Sequence, residues 1–334
     1  MAVSPKRPRV AKEWLRVARR SVRDPFFLAP VVFLLLLPFL VGLNSSGFLA
    51  LSLVFAAIYI LLALAWDFSS GMTGYLNFGI PFFFGVGALT AGYLSWHGNR
   101  NILDLLLAAF GSGLLGGFLF SVPTLRLRGP YFALLSFLLP LIGTDFVLAY
   151  WVPFHWPTEG FYGLPFLADT PGGELLVLSV ANVIVLTAFV LLRNSHFGLV
   201  LRGIRDDEDA LLSQGISTFP YKVVAFTLAS GVVGFAGACY AMVNTYSGVD
   251  AFGFDFILFP ILIVLIGGAG ELVGAAWAGA FVILVYEYFF PIFSDLTLIV
   301  FVLVAVVLVL FVPHGLVRPL RQFVKFMSTK EEPT

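Results

Sequence analysis

Long apolar runs, most of them long enough to cross a bilayer as a helix, constrain this chain more than any other feature of its sequence. Hydrophobic residues make up 60% of the chain and charged residues only 11%. In lipid, backbone N–H and C=O groups must find hydrogen-bond partners within their own segment. The runs also do not alternate in hydropathy, so we expect helices rather than strands. The predicted spans are 27–43, 48–66, 76–95, 102–124, 131–151, 174–192, 223–245, 254–267, 275–291 and 296–312.

The sequence therefore predicts an all-α polytopic membrane protein with about ten transmembrane helices. Two spans depart from the common pattern, because 76–95 is crowded with glycine and 254–267 is short for a full crossing. We expect short or broken Gly-rich helices there. Residues 1–26 form a basic N-terminal segment, 27–312 the transmembrane domain, and 313–334 a C-terminal tail.

The distribution of basic residues predicts the orientation. Cytoplasmic loops of membrane proteins collect Lys and Arg. If ten spans alternate from a cytoplasmic N-terminus, every Lys and Arg except Arg100 falls in a cytoplasmic segment. We therefore expect both termini in the cytoplasm, with 193–222 as the longest charged cytoplasmic loop between spans. The net charge is zero, which gives no indication of nucleic acid as a partner; membrane lipid is the expected surrounding.

The loop 193–222 carries an unusual concentration of acidic residues. Apolar residues recur there at helical spacing, which predicts a short amphipathic helix between Gly203 and Gly215. Acids near its start are favoured by the helix dipole. One interpretation is a solvated loop, and the other is a docking surface for a cytosolic protein. The acids are consecutive: Asp206, Asp207, Glu208 and Asp209.

Glycines and one intramembrane acid are candidates for a solute path. Glycines crowd 71–92 and 267–279. They either let helices pack closely or interrupt helices beside a path, as in the repeats of transporters. Asp145 lies inside the span 131–151. It either faces a wet path or makes a structural hydrogen bond within the membrane.

Catalytic and metal sites have little support in the sequence. The four histidines are scattered, and Cys239 is the only cysteine. We expect no cofactor, metal or catalytic residue, and an enzyme is the weakest interpretation. An ion-coupled secondary transporter or channel remains an alternative, since it would share the hydropathy and the broken helices.

Four segments, in order from about residue 50 to 315, carry a family resemblance. GLVLRGIRDDEDALLSQGI at 198–216 resembles the pattern GRALRAIRENEIAAEALGI, and GMTGYLNFGIPFFFGVGALTAGYL at 71–94 resembles GYTGQLSLGHAAFFGIGAYTAALL. LRLRGPYFALLSF at 125–137 resembles LRLRGIYFALVTL, and 264–289 resembles a GGxGxxxGPxxGA pattern. These patterns are those of LivM-type permeases, the branched-chain amino acid subunits of bacterial ABC importers, a family that also includes urea and related permeases.

The resemblance implies that 27–312 is a transmembrane permease domain in a bacterial or archaeal cytoplasmic membrane. It implies that the loop helix from Arg205 to Gly215 couples the domain to a cytosolic ABC ATPase subunit. The chain itself lacks a G-x-x-x-x-G-K-[ST] phosphate loop. The coupling residues would be Arg202, Arg205, Asp206, Asp207, Glu208, Ala210 and Gly215, and those of the translocation path Gly74, Asn77, Gly79, Gly85 and Asp145.

The expected working unit is an assembly of several chains. Besides the ATPase subunits, the resemblance implies a second homologous permease subunit, or a homodimer, and an extracytoplasmic solute-binding protein. Branched-chain or other amino acids are the expected solutes. The chain departs from the family pattern at Ile80, Pro81 and Asn77, which leaves the solute itself open.

Overall fold

The computed structural model describes residues 25–42, 47–151, 157, 160–279 and 281–282. The predicted span 296–312, most of 275–291, the C-terminal tail 313–334 and nearly all of the segment 1–26 lie outside these residues. The described part is overwhelmingly helical. Its helices are α1 (Pro25–Val41), α2 (Phe48–Trp66), α3 (Ile80–Trp96), α4 (Ile102–Thr124), α5 (Pro130–Trp151), α6 (Pro171–Arg193), α7 (His196–Ser213), α8 (Phe219–Val243) and α9 (Asp255–Gly267).

Shorter elements complete the described part. A π-helical turn, Asp67–Gly71, extends α2, and a 3-10 turn, Val249–Phe252, precedes α9. Residues 273–279 are also helical. The strands β1 (Phe161–Tyr162) and β2 (Tyr246–Ser247) pair antiparallel.

Eight of the predicted spans coincide with helices of the structure, namely α1 to α6, α8 and α9. Within the described residues, five helices are long and apolar enough to cross a membrane, counting α2 together with its π-helical turn. α3 and α9 are shorter apolar helices, as the glycine-rich and short runs predicted. The total of ten helices and the placement of the termini stay predictions, because the chain beyond residue 282 is not described.

The first helix break differs from the prediction. The predicted span 76–95 is wrong at its start, since α3 begins at Ile80 and the preceding residues 74–79 are not helical. Local hydrogen bonding explains the difference: the Asn77 side-chain Oδ1 accepts from the backbone N–H of Gly79 at 2.8 Å. Pro81 then occupies the first turn of α3, where its missing N–H costs nothing.

Glycines bring three helices into close contact at the centre of the fold. α8 packs between α3 and α4, and a Cβ added to Gly87 of α3 would collide with the backbone carbonyl of Gly234 of α8. Gly113 of α4 faces the carbonyl oxygen of Ser230 in the same way. Small residues permit such backbone contact in an apolar environment. These glycines therefore serve helix packing, one of the two roles that the sequence left open.

The two ends of the helical body differ in charge. β1 and β2 lie at one end, where the guanidinium of Arg100 donates to the carbonyl oxygen of Gly163. α7 follows the C-terminus of α6 and lies at the other end, which we call the α7 end. Of the Lys and Arg residues that the structure describes, all but Arg100 belong to the α7 end: Arg126, Arg128, Arg193, Arg202, Arg205 and Lys222.

We expect the substitution Gly87→Ala to destabilise the helical body by about 1–3 kcal/mol, since the added methyl group has no space beside α8. Thermal unfolding of the detergent-solubilised chain, followed by tryptophan fluorescence, measures the effect. Gly111→Ala is the matched control, because a Cβ at Gly111 of α4 meets nothing within 4 Å. Equal unfolding temperatures for the two variants would contradict the packing of α3 on α8.

Candidate functional site at the junction of two helix breaks

The acidic loop forms a longer and more complex helix than the sequence predicted. The predicted start at Gly203 is wrong, because α7 begins at His196, where Gly198 passes close against the backbone of Arg193. At Asp207 the backbone leaves helical geometry (φ −162°, ψ 102°), which divides α7 into two pieces. The Asp207 carboxylate then accepts from the backbone N–H of Ala210 at 3.0 Å and caps the second piece. Acids therefore do stand at a helix start, but at the start of the second piece.

Gly215 ends α7 as the sequence predicted. Its φ is +79°, in the left-handed region that glycine adopts without strain. The backbone N–H of Ile216 turns back to the carbonyl oxygen of Leu211 at 3.1 Å. This arrangement is a common C-terminal cap of helices.

A buried carboxylate joins two helix breaks in the described part of the chain. The first break covers 74–79 and the second 268–272. Asp67, fully buried in the π-helical turn, accepts from the backbone N–H groups of Gly270 at 2.5 Å and Leu272 at 2.7 Å. Buried backbone donors without an acceptor cost about 1–3 kcal/mol each. Asp67 lies beside the first break and satisfies two such backbone donors in the second break.

Arg205 of α7 binds both breaks at once. Its Nη1 donates to the carbonyl oxygens of Gly71 at 2.6 Å and Ala269 at 3.2 Å. Gly74 and Gly270 flank the guanidinium with φ values of +77° and +81°. A Cβ at Gly74 would lie 3.3 Å from the Arg205 side chain, and one at Gly270 would lie 2.9 Å from its Nη1. Both glycines are therefore required for the backbone conformation and for the approach of Arg205.

Two further arginines fix α7 and α6 to the same region. Arg202 donates through Nε to the carbonyl oxygen of Gly198 and through Nη2 to that of Arg193, both at 3.3 Å. Arg193 in turn pairs with Glu271 of the second break, with 3.1 Å between Nη2 and Oε2. Both side chains of this pair are largely shielded from solvent, at 16% and 12% exposure. The first piece of α7 is thus held against the second break.

Glu208 makes a separate polar cluster with the first break. Its carboxylate accepts from Lys222 Nζ at 2.8 Å, from the Tyr75 hydroxyl at 2.6 Å and from the Thr218 hydroxyl. Burial alone would raise the pKa of this carboxyl, but the hydrogen bonds from Lys222, Thr218 and Tyr75 together hold the pKa of Glu208 below its ordinary value. We call Tyr75, Glu208, Thr218 and Lys222 the inner cluster.

Other residues that the sequence predicted for coupling lie on the outside of the α7 end. Asp206, Ala210 and the apolar Leu212 are exposed, the last at 42% of its surface. Asp209 is also exposed and pairs with Arg128, with 2.7 Å between Oδ1 and Nη1. The predicted acidic stretch is therefore divided, with Glu208 turned inward and its neighbours facing solvent.

Most of the predicted path residues are packed in this structure. Asn77 is buried, and its carbonyl oxygen accepts from the Trp66 indole N–H at 2.8 Å. A Cβ at Gly79 would lie 3.0 Å from Leu139 of α5. The Phe252 ring fills the space beside Gly85, where an added Cβ would lie 2.5 Å from the ring. Among the described residues, Asn77, Gly79 and Gly85 therefore lie in packed contacts.

Asp145 and Gly74 stand apart from that packing. Asp145 lies exposed on the outward face of α5, beside the exposed apolar side chains of Phe146 and Leu148. Gly74 belongs to the junction at Arg205. The structure thus brings Gly74 together with Arg205, one of the predicted coupling residues, and leaves the Asp145 side chain exposed.

Sequence reasoning assigned no role to Asp67, Tyr75 or Glu271. Both acids lie near the ends of predicted spans in the sequence, yet Asp67 is fully buried. The available signal was position: each acid adjoins one of the two glycine-rich segments. That position marks the two acids, but it does not indicate their partners, since Asp67 accepts from Gly270 and Leu272 of the distant second break.

We expect Arg205→Lys to weaken the junction by about 1–3 kcal/mol, because a lysine ammonium does not reproduce the planar arrangement of donors that reaches both carbonyl oxygens. Thermal unfolding of the solubilised chain measures the loss. Arg126→Lys is the matched control at an exposed position, where a change within about 0.5 kcal/mol is expected. A result in which both variants unfold like the unmodified chain would remove Arg205 from the junction.

The inner cluster predicts a pH dependence of stability. Because the folded pKa of Glu208 lies below its ordinary value of 4.5, the stabilisation is complete above that pH and is lost as the pH falls through the lowered pKa. The unfolding temperature of the unmodified chain should therefore fall below pH 4.5 more steeply than that of Glu208→Gln. Asp206→Asn should keep the steep profile, and parallel profiles for Glu208→Gln and the unmodified chain would contradict the contact.

Comparison with known proteins identifies the family of the chain. The family described as "Branched-chain amino acid transport system / permease component" matches residues 48–312. The high-affinity branched-chain amino acid transport system permease proteins LivM of Salmonella typhimurium and Escherichia coli are each 26% identical, over 91% of this chain and 77% of theirs. A probable LivM of Methanocaldococcus jannaschii is 27% identical over 52% of each chain. No solved structure matches. The chain belongs to the family of branched-chain amino acid transport system permease components.

Proposed function

We propose that this chain is the permease subunit of an ABC importer in a bacterial or archaeal cytoplasmic membrane, and that α7 couples it to an ATP-binding subunit. The observation that carries the proposal is that the two sides of α7 have different surroundings. Its inner side holds both helix breaks through Arg205, while its outer side exposes Asp206, Ala210 and Leu212. A partner that moves α7 would act on both breaks together.

The charge distribution supports a cytoplasmic position for α7. Among the residues that the structure describes, the Lys and Arg side chains belong to the α7 end, with Arg100 as the exception. Cytoplasmic segments collect such residues. With α7 in the cytoplasm, β1 and β2 face the outside, where a solute-binding protein would deliver its cargo.

The proposed path for solute runs along the first break and α3. Asn77, Gly79 and Gly85 line contacts with α5 and the Phe252 ring, so a rearrangement of these contacts would open a passage beside them. Gly74 ties the break to Arg205 at its inner end. Asp145 on the outward face of α5 is placed to meet a cationic group, such as the ammonium of an amino acid. The printed names of the relatives point to branched-chain amino acids as the solute class.

The working complex would contain several chains. The ATPase subunits bind at the α7 end, and a second permease subunit, homologous or identical, completes the membrane part. The outward face of α5 carries exposed apolar side chains together with Asp145, whose carboxylate is costly in lipid. This face is therefore suited to the second permease subunit and the path rather than to lipid.

We expect the double variant Asp206→Lys with Leu212→Glu to release the ATPase subunit from the detergent-solubilised complex and to lower ATP-dependent uptake at least about tenfold. The two side chains are exposed on α7, so the change spares the contacts with the breaks. Co-purification followed by mass spectrometry, and uptake into vesicles, are the measurements.

Asp169→Lys is the control for the charge reversal. Asp169 is also exposed, but it precedes the N-terminus of α6 and so lies at the end opposite α7. It should leave the ATPase subunit bound. Retention of that subunit by the α7 double variant would argue against α7 as the coupling element, and solute flux by the chain alone on an ion gradient would favour a secondary transporter.

A further inference from the structure

The acids of α7 divide into two groups by their surroundings. The side chains of Glu208 and Lys222 are only 12% and 4% exposed, and their charges lie 2.8 Å apart. Asp206 and Asp209, on either side in sequence, face solvent. Glu208 is therefore positioned for an internal contact, and a docked protein would reach its neighbours without reaching its carboxylate.

The kink at Asp207 produces this division. In a continuous helix the Glu208 side chain would follow that of Asp207 by about 100° around one axis, but the extended backbone at Asp207 turns the following piece. Glu208 then points to the start of α8, where Thr218 and Lys222 bind its carboxylate. Lys222 Nζ also donates to the carbonyl oxygen of Leu125, just past α4, at 3.4 Å.

Tyr75 connects the same carboxylate to the first break. Its hydroxyl donates to Glu208 Oε2 at 2.6 Å and accepts from Lys222 Nζ at 3.0 Å. The Lys222 ammonium also lies 4.4 Å from the centre of the Tyr75 ring. Tyr75 stands between Gly74 and Asn77, so this contact joins the second piece of α7 directly to the segment proposed to line the path.

A buried ion pair resists separation, because each charge would be left without its partner in a poorly solvated place. The second piece of α7, the start of α8 and the first break are therefore expected to move together when α7 is displaced. Arg205 holds the first piece to both breaks, and the inner cluster holds the second piece to the first break alone.

We propose that Tyr75, Glu208 and Lys222 are positioning residues that transmit the movement of α7 to the first helix break, and that Glu208 serves this link rather than the contact with the ATP-binding subunit. The inference rests on the proposed function, since it assumes that an ATP-binding subunit moves α7. It differs from the role that the family resemblance implied for Glu208.

A single introduced cysteine reports on the first break in the purified complex. Leu76 is 49% exposed and adjoins Tyr75, and the only native cysteine, Cys239, is buried. The rate at which a maleimide labels Leu76→Cys is measured with and without ATP plus vanadate. Four backgrounds are compared: the unmodified chain, Tyr75→Phe, Glu208→Gln and Tyr221→Phe. Tyr221→Phe is the matched control, since the Tyr221 ring packs at a tilt against Phe197 and Tyr221 donates no hydrogen bond within the described residues.

We expect ATP to change the labelling rate about tenfold in the unmodified chain and in Tyr221→Phe, a typical size for coupling between two sites. In Tyr75→Phe and Glu208→Gln the change should fall below about twofold, with the ATPase subunit still bound and still hydrolysing ATP. This separation of hydrolysis from movement is not expected of a residue that only stabilises the fold.

Two results would overturn the inference. Tyr75→Phe and Glu208→Gln could respond to ATP like the unmodified chain, in which case the cluster transmits nothing. Alternatively, Glu208→Gln could lose the ATPase subunit while Asp206→Asn retains it, in which case Glu208 is a docking residue. Failure of the proposed function gives a different pattern, because then the unmodified chain itself binds no ATPase subunit and shows no response to ATP.

Discussion

Two helix breaks leave backbone N–H and C=O groups without helical hydrogen-bond partners in an apolar protein, and the structure depends on how the chain supplies partners for them. Away from water such groups need partners from the protein itself. Asp67 accepts from the N–H groups of the second break, and Arg205 donates to a carbonyl oxygen beside each break. These two side chains have opposite charge and opposite hydrogen-bonding capacity. Together they turn two local interruptions into one junction, and α7 is part of it because it supplies Arg205.

This junction explains why a chain of such low charge concentrates charged residues at one end. Arg193 with Glu271 holds the second break to α6, and Glu208 with Lys222 holds the second piece of α7 to the first break and α8. Each pair is largely shielded from solvent, so each resists being pulled apart. A surface docked on α7 would thus act on the membrane helices through fixed contacts. Exposed pairs such as Arg128 with Asp209 contribute little by comparison.

Much of the helical architecture followed from hydropathy, because an apolar run in lipid has few alternatives to a helix. The broken character of 76–95 also followed from its glycines, although its start at Ile80 depended on the local hydrogen bond of Asn77. The family resemblance located α7. The inward turn of Glu208 was not predictable in this way, since it depends on Tyr75, 133 positions earlier in the chain. Burial of Asp67 likewise depends on the distant Gly270 and Leu272.

The central claim is that α7 and the first break form one moving unit. Spin labels at Leu199 of α7 and Leu76 of the break, both exposed, report the distance within that unit, and a label at Leu103 near the start of α4 gives an outer reference. Double electron–electron resonance on the complex, with and without ATP, measures both distances. We expect the Leu199 to Leu76 distance to stay constant while the Leu76 to Leu103 distance changes. A change between Leu199 and Leu76, with Leu76 fixed relative to Leu103, would contradict the account.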